Sequence, residues 1–424
     1  MDKLIDHPSR FSTRNELHAR PFPVQDSPGR AICLALKPAE ETPEDEPLKA
    51  LIRLLDRYGA VHPVPDAKHY SGEIGQHRLK WERHTEFVTY TVFFDGAGAR
   101  PFDPADFEVF PDDWVAGLYA TRITSMQIHI APYDLSGDET PPELDEWFQS
   151  ESLAVSTVLD QSALIASDFR LNGIGNARFA VFTNPDTGAQ RVGRILQRIC
   201  EIEIYTSMAM LGLSKVRHLA PRMAELEERL TALVAELPLK ENDPERSLDK
   251  LLVISAELEA MQAAAAFRFS GTRAYEAIVN QRVEVLREAR IGGRQTFTEF
   301  MMRRFDPAMR TVESTSKRLA KMTARAGRAG QLLSTQVDVA RSKQNQKLLE
   351  SMDRRADLAL RLQQTVEGLS VVAISYYAVS LATYLLYPLA EALEISKGML
   401  TAAVTLPVIG LVWWLVRRIK HSMH

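Results

Sequence analysis

Hydrophobic residues in the first half of the chain alternate with polar ones or form short apolar runs, which is typical of β-strands. Strands are predicted at 31–36, 123–130, 153–159, 163–169 and 178–182, and a two-stranded hairpin at 76–94. A helix is predicted at about 47–58, and turn-forming residues separate the strands. The pattern therefore predicts an α/β or α+β domain that ends near Thr187.

Beyond Thr187 the apolar residues recur at helical spacing, for example at Ile195, Ile199 and Ile202. Long helices are predicted at 189–237 and 244–290, the second with a break near Ser270-Gly271. A third is predicted from about 295 to 387, with Asp306-Pro307 as its expected early interruption. The predicted regions are an α/β head (1–187), a helical body (188–293), a stalk helix (294–368) and a hydrophobic hairpin (369–424).

Two stretches near the C-terminus, 369–387 and 398–416, carry no charged residue. Each approaches the roughly 20 residues that a helix needs to cross a bilayer. Basic clusters flank the pair on the outside, with Arg354 and Arg355 before it and Arg417 and Arg418 after it. Because Lys and Arg mark cytoplasmic ends, we predict a two-helix transmembrane hairpin with both termini in the cytoplasm. A buried hydrophobic hairpin in a soluble core is the alternative.

Steps of three and four residues from Leu349 trace one continuous heptad seam into the first span. In the span this seam is small or hydroxyl-bearing, which is the composition of helix contacts or of a wet path. Its candidate pore-lining residues are Ser370, Tyr377, Ser380, Tyr384 and Tyr387. The pattern favours self-association through the first span over a lone lipid-facing hairpin, although Leu358, Leu362, Leu369 and Val372 form a second apolar face.

Composition adds little that is specific. The chain has 424 residues, a formal net charge of -4 and only two cysteines, Cys33 and Cys200, which suits a reducing cytoplasm. The N-terminus lacks the apolar core of a signal peptide. Between residues 301 and 361, fourteen lysines and arginines stand against six acidic residues, so membrane lipid is an expected partner. We expect no nucleic-acid partner.

Candidate ligand chemistry is sparse. His69, Glu73 and His77 are close enough in sequence to suggest a weak divalent-cation site, but Gly72 and Gly75 predict a turn between them, and surface histidines are the alternative. The chain has no phosphate loop, HExxH, paired CxxC or GxSxG motif. No catalytic residue is predicted, and an enzyme with an unrecognised site stays the third hypothesis.

The segment NELHARP occupies residues 15–21, after a His7-Pro8 pair. With the two hydrophobic spans, it resembles a family of uncharacterised bacterial membrane-anchored proteins that is known by a domain-of-unknown-function label. This resemblance covers the whole chain and implies a location in the bacterial inner membrane, without an activity. Glu16, His18 and Arg20 could bind an anion or a metal ion, and a hydrogen-bonded structural segment is the alternative reading.

The order of parts also resembles the CorA-type divalent-cation transporters, in which subunits form a ring and the first span lines the pore. This resemblance implies a homo-oligomer, such as a pentamer, a divalent cation as ligand, and the five seam residues facing the axis. The Gly-Met-Asn signature of that family is missing, and Leu386-Tyr387-Pro388-Leu389 stands in its place. Selectivity for hydrated magnesium therefore does not carry over. The leading hypothesis is an ion-conducting or ion-sensing assembly, and its rival is a scaffold or sensor that the hairpin only tethers and oligomerises.

Overall fold

A computed structural model describes residues 4, 6–11, 14, 22–237, 243–393 and 396–422. The chain divides into two compact units. The first comprises residues 1–239 and 249–329, and the second comprises residues 240–248 and 330–424. The predicted head and most of the predicted helical body therefore share one unit, whereas the predicted hairpin belongs to the other.

The first unit is built on a mixed β-sheet. In the described residues it has nine strands in the order β2-β3-β4-β1-β5-β8-β7-β6-β9. Strands β5 and β8 are parallel, and the other neighbouring pairs are antiparallel. The strands are β1 Gly29–Pro38, β2 His69–Ile74, β3 His77–Arg83, β4 Val88–Asp95, β5 Ala120–Pro132, β6 Ala154–Val158, β7 Ala163–Ser167, β8 Ala177–Thr183 and β9 Ala289–Arg290.

The helices fall into two groups. Short ones connect the strands: α1 Glu46–Tyr58, a 3-10 helix Pro104–Val109, α2 Asp112–Ala116 and α3 Glu143–Trp147. Long ones come after the sheet: α4 Ala189–Glu236, α5 Pro244–Val285, α6 Phe297–Ala392 and α7 Lys397–Ser422. The structure confirms a mixed α/β sheet domain with long helices and a C-terminal pair of apolar helices.

Strand β1, near the centre of the sheet, has both of its faces covered by helices. Its odd-numbered residues, such as Cys33 and Ala35, pack with apolar residues of α4, α5 and the start of α6. Its even-numbered residues, such as Ile32 and Leu34, pack with α1. Since successive side chains of a strand point to opposite faces, a continuous apolar run is required where both faces are buried.

The long helices are more continuous than the sequence predicts. The expected break near Ser270-Gly271 is wrong, because α5 passes through both residues. Next to Gly271, α5 packs closely against α4. The Thr272 hydroxyl donates to Ala209 O at 3.3 Å. A Cβ added to Gly212 would lie 2.3 Å from Thr272 Oγ1. Close packing of this kind outweighs the roughly 1 kcal/mol that a glycine costs inside a helix.

Helix α6 also runs through Asp306-Pro307, where an interruption was expected. Its heptad positions Val312, Leu319, Ala326 and Leu333 are all buried. Further along, α6 continues past its predicted end at about residue 387 to Ala392, so Pro388 and Glu391 are helical.

Candidate functional site

The second unit contains the apolar part of α6 and the whole of α7. In the described residues, segments Phe297–Leu389 and Lys397–Arg418 are long and apolar enough to cross a membrane, by length and composition. Few of the residues in their most apolar windows are buried within the chain. This pair of helices is therefore the candidate membrane region of the chain.

Small and hydroxyl-bearing side chains lie between α6 and α7. Ser375 and Thr383 of α6 are buried, and with Thr401 and Thr405 of α7 they line a groove of about 620 Å³. The Thr383 hydroxyl donates to Val379 O at 2.8 Å, and that of Thr405 donates to Thr401 O at 2.6 Å. Because these hydroxyls are satisfied within their own helices, the small side chains can pack closely without exposing a polar group to lipid.

The predicted seam residues lie beside the groove or at its rim. Ser370, Tyr377, Tyr384 and Tyr387 are exposed, and Ser380 is half-buried at the rim of the groove. Tyr384 also lines the groove, at the end where Lys397 of α7 lies over its ring. Within this chain α7 thus packs beside the seam and leaves most of it uncovered.

Cation–π contacts mark both ends of the helix pair. The Lys397 ammonium lies 5.9 Å from the ring centroid of Tyr384 and 5.8 Å from that of Tyr387. At the other end of α7, Arg417 lies over Trp413 at 5.0 Å, and Arg418 lies over Trp414 at 5.2 Å. Aromatic rings paired with cations are typical of the two membrane–water interfaces.

The weak metal candidates do not converge. His69 and Glu73 are exposed and lie on the same face of β2, about 13 Å apart along the strand. His77 pairs with Ile74 across a tight turn and therefore lies on the other face. Burial, and secondarily the charge of Arg30, lowers the pKa of His77. The described residues contain no group of three or more His, Cys, Asp or Glu that could hold a metal ion.

The other sequence candidates, Glu16, His18 and Arg20, lie outside the described residues. The described chain resumes at Phe22, directly after the NELHARP segment, and residues 23–25 lie against the first turns of α4. There Gln25 N donates to Ala189 O at 3.1 Å. Pro23 lines a cleft in the first unit. The two residues after the NELHARP segment, Phe22 and Pro23, therefore lead the chain to the edge of this cleft.

That cleft was not predicted. It has a volume of about 230 Å³ and lies between β3, β4 and α4. Lys80 Nζ lies 3.1 Å from Glu82 Oε2 and donates to Gln197 Oε1 at 3.2 Å. Gln197 Nε2 in turn donates to Glu201 Oε1 at 2.8 Å, and Glu201 pairs with Arg282. The wall of the cleft is thus a continuous network in which carboxylates and cations alternate.

A second cleft of about 920 Å³ shares His84, Phe87 and Tyr205 with the first. Glu86, in the turn between β3 and β4, accepts a hydrogen bond from Tyr275 of α5 at 2.8 Å. Burial and this carboxylate raise the pKa of Tyr275, so its hydroxyl stays protonated and donates. The two clefts together form a polar and aromatic recess between the sheet and the long helices of the first unit.

These features define a class: a mixed α/β sheet protein with long helices and a C-terminal pair of apolar helices. The chain belongs to the DUF3422 family, described as proteins of unknown function, since the family model matches residues 5–423. No curated protein matches the chain. The match confirms the resemblance to an uncharacterised family, and it carries neither an activity nor a relationship to the CorA-type transporters.

Proposed function

We propose that this protein is a homo-oligomeric inner-membrane protein of CorA-like architecture that conducts ions. In this proposal the first span of each copy faces its counterparts around a central path, and the α/β head senses the cytoplasm. The observation that carries the proposal is the uncovered seam of α6. Tyr377 and Tyr384 are 70% and 73% exposed within the chain, although Tyr384 also lines the edge of the groove beside α7.

Hydroxyl-bearing residues gain little from facing lipid tails, whereas in an oligomer they can contact each other or water. The basic residues at both outer ends, including Arg361 and Arg417, support an orientation with both termini in the cytoplasm. Lys397 and the two tyrosines would then lie at the outer end. Filters for cations are built from carbonyl or carboxylate oxygens, whereas the Lys397 ammonium carries a positive charge. Both anions and cations therefore have to be tested.

Ion flux tests this function. The full-length protein is reconstituted in liposomes, and the fluxes of potassium, magnesium and chloride are measured against protein-free liposomes. Replacing Tyr384 with Ala should change the flux at least severalfold, because it removes a side chain from the proposed path. The matched control is Leu385→Ala, which alters an equally exposed neighbour about 100° around the helix and should leave the flux unchanged.

Absence of flux for all three ions, in the wild type and in both variants, would reject conduction. An equal change in Tyr384→Ala and Leu385→Ala would show that general damage to the span, and not the seam, controls the flux. Neither result would contradict self-association, which is measured separately.

A second candidate function is a membrane-anchored scaffold or sensor in which the hairpin only tethers and oligomerises the head. The cleft lined by Lys80, Glu82, Glu201 and Arg282 favours it, because it offers both charges to a small polar ligand without involving the membrane. This function predicts a folded oligomer that conducts nothing and whose unfolding temperature rises when such a ligand is added.

A further inference from the structure

The two cysteines of the chain, distant in sequence, meet in the core of the first unit. Cys33 lies on β1 and Cys200 on α4, and their side chains belong to the same buried cluster, where the two thiols interact. Cys33 is fully buried, and Cys200 is 7% exposed. The two cysteines belong to no sequence motif, and their spacing along the chain does not predict that they lie close together.

The fold brings the thiols together through strand alternation. Cys33 belongs to the odd-numbered residues of β1, which face the long helices, and α4 crosses this face with Ile199 and Ile202 in the same core. Thr91, the register partner of Cys33 on β4, donates its hydroxyl to Cys33 Sγ at 3.4 Å. The Cys33 thiol is therefore held in place from two sides.

Access to the pair is one-sided. Cys200 lines the cleft of about 230 Å³, together with Lys80, Glu201 and His84, whereas Cys33 is not among its lining residues. A small molecule that enters the cleft therefore reaches Cys200 before Cys33. Cys33 lies deeper in the core than Cys200. This is the position of a resolving thiol, which forms a disulfide with a neighbouring cysteine after that cysteine has been oxidised.

We propose that Cys33 and Cys200 are a dithiol that peroxide oxidises to an intrachain disulfide. The Cys200 sulfur attacks one oxygen of a hydroperoxide, the O–O bond breaks, and Cys200 becomes a sulfenic acid while water or an alcohol leaves. The Cys33 sulfur then attacks the sulfur of the sulfenic acid and displaces a second water. In sum, two thiols lose two hydrogens and one peroxide is reduced.

The surroundings of Cys200 set the sensitivity of this site. The interaction with Cys33 and burial raise the pKa of the Cys200 thiol, and the nearby Lys80 ammonium partly opposes this rise. Because the thiolate is the nucleophile, oxidation at neutral pH should be slow and should accelerate as the pH rises. The resulting disulfide would fix α4 to the centre of the sheet, at the floor of the cleft. This inference does not depend on ion conduction.

The experiment uses the full-length protein in nanodiscs. It is exposed to increasing hydrogen peroxide together with a cysteine-containing peptide as an internal standard, then unfolded, alkylated and digested without reductant. We expect both cysteines to lose alkylation in parallel, a linked peptide pair containing Cys33 and Cys200, and full recovery of both thiols after reduction. The rate should be higher at pH 8.5 than at pH 7.

Two single variants separate the roles, after their unfolding temperatures have been compared with that of the wild type. Cys33→Ala should leave Cys200 as a sulfenic acid that dimedone traps. Cys200→Ala should leave Cys33 alkylatable after peroxide treatment. The proposal is overturned if, at pH 8.5 and after prolonged exposure, both wild-type thiols survive a dose that fully oxidises the standard. It is equally overturned if Cys200 proceeds to sulfinic acid while Cys33 stays a thiol, or if only disulfides between chains form.

Discussion

Gly193 lies where α4 passes the extended residues 22–25. A Cβ added at this position would lie 1.7 Å from the backbone oxygen of Pro23, a distance that no side-chain adjustment can relieve. We therefore expect Gly193→Ala to lower the free energy of unfolding by about 1–3 kcal/mol, or to detach residues 22–25 from α4. Chemical unfolding followed by circular dichroism measures the first outcome, and protease sensitivity near Pro23 measures the second.

The control for this prediction is Gly327→Ala. Gly327 lies inside α6, and a Cβ there would meet nothing within 4 Å. Alanine should raise stability there by up to about 1 kcal/mol, because it is the better helix former. A Gly193→Ala variant as stable as Gly327→Ala, with residues 22–25 still protected, would contradict the close approach of Pro23.

Single residues also show why the cleft was missed. Leu79 and Trp81 alternate on β3 as expected for a half-buried strand, and both are buried. The intervening Lys80 and Glu82 suggest a solvent-facing side, but α4 covers that face, with Gln197 against Lys80. Covering helices are tertiary information, so strand periodicity predicted the strand and not the ion-pair network on its second face.

The heptad positions of α6 form a stripe whose burial can be tested. Leu319 is 2% exposed, and Val312 and Ala326, one heptad to either side, are equally buried. Leu319→Ala should lower the free energy of unfolding by about 2–4 kcal/mol, because it removes buried methyl groups and leaves a cavity. Differential scanning calorimetry of the full-length protein measures the change.

The neighbouring residue provides the control. Arg318 forms an exposed ion pair with Glu227, with Nε 2.9 Å from Oε2. Such pairs contribute about 0–1 kcal/mol, so Arg318→Ala should cost much less than Leu319→Ala. Equal losses in the two variants would mean that the stripe is not packed as described.

Among the elements, those with a strong apolar pattern were predicted and those without it were not. Strand β1 extends the predicted range by two residues at either end, and helix α1 begins one residue before its predicted start. Strand β2 was missed because its sequence HYSGEI is mostly polar, as suits an exposed edge strand. Strand β9 has two residues, and its existence depends on pairing with β6, which the local sequence does not encode.

For the whole molecule, the exposed stretch of α6 leads to a prediction about self-association. Every residue from 338 to 366 is exposed within the chain. This stretch includes Leu349, Met352 and Val366 of the seam, and Leu358 on the second apolar face. Apolar side chains that recur every three and four residues along an exposed helix are typical of a coiled-coil contact. The seam then continues into the first span, where water-soluble partners cannot reach it, which favours further copies of this chain as the partner.

We therefore expect native mass spectrometry of the nanodisc-embedded protein to find a closed homo-oligomer. Met352→Glu should reduce the subunit number or dissociate the assembly, because it places one carboxylate per copy in the seam, where like charges repel each other. Leu358→Glu adds the same charge at a similarly exposed position, 66% against 59% for Met352, on the second apolar face, and should leave the assembly intact. If Leu358→Glu alone dissociates the oligomer, the copies meet through the second face. A monomeric wild type would exclude a pore lined by one inner helix per copy, and with it the proposed conduction.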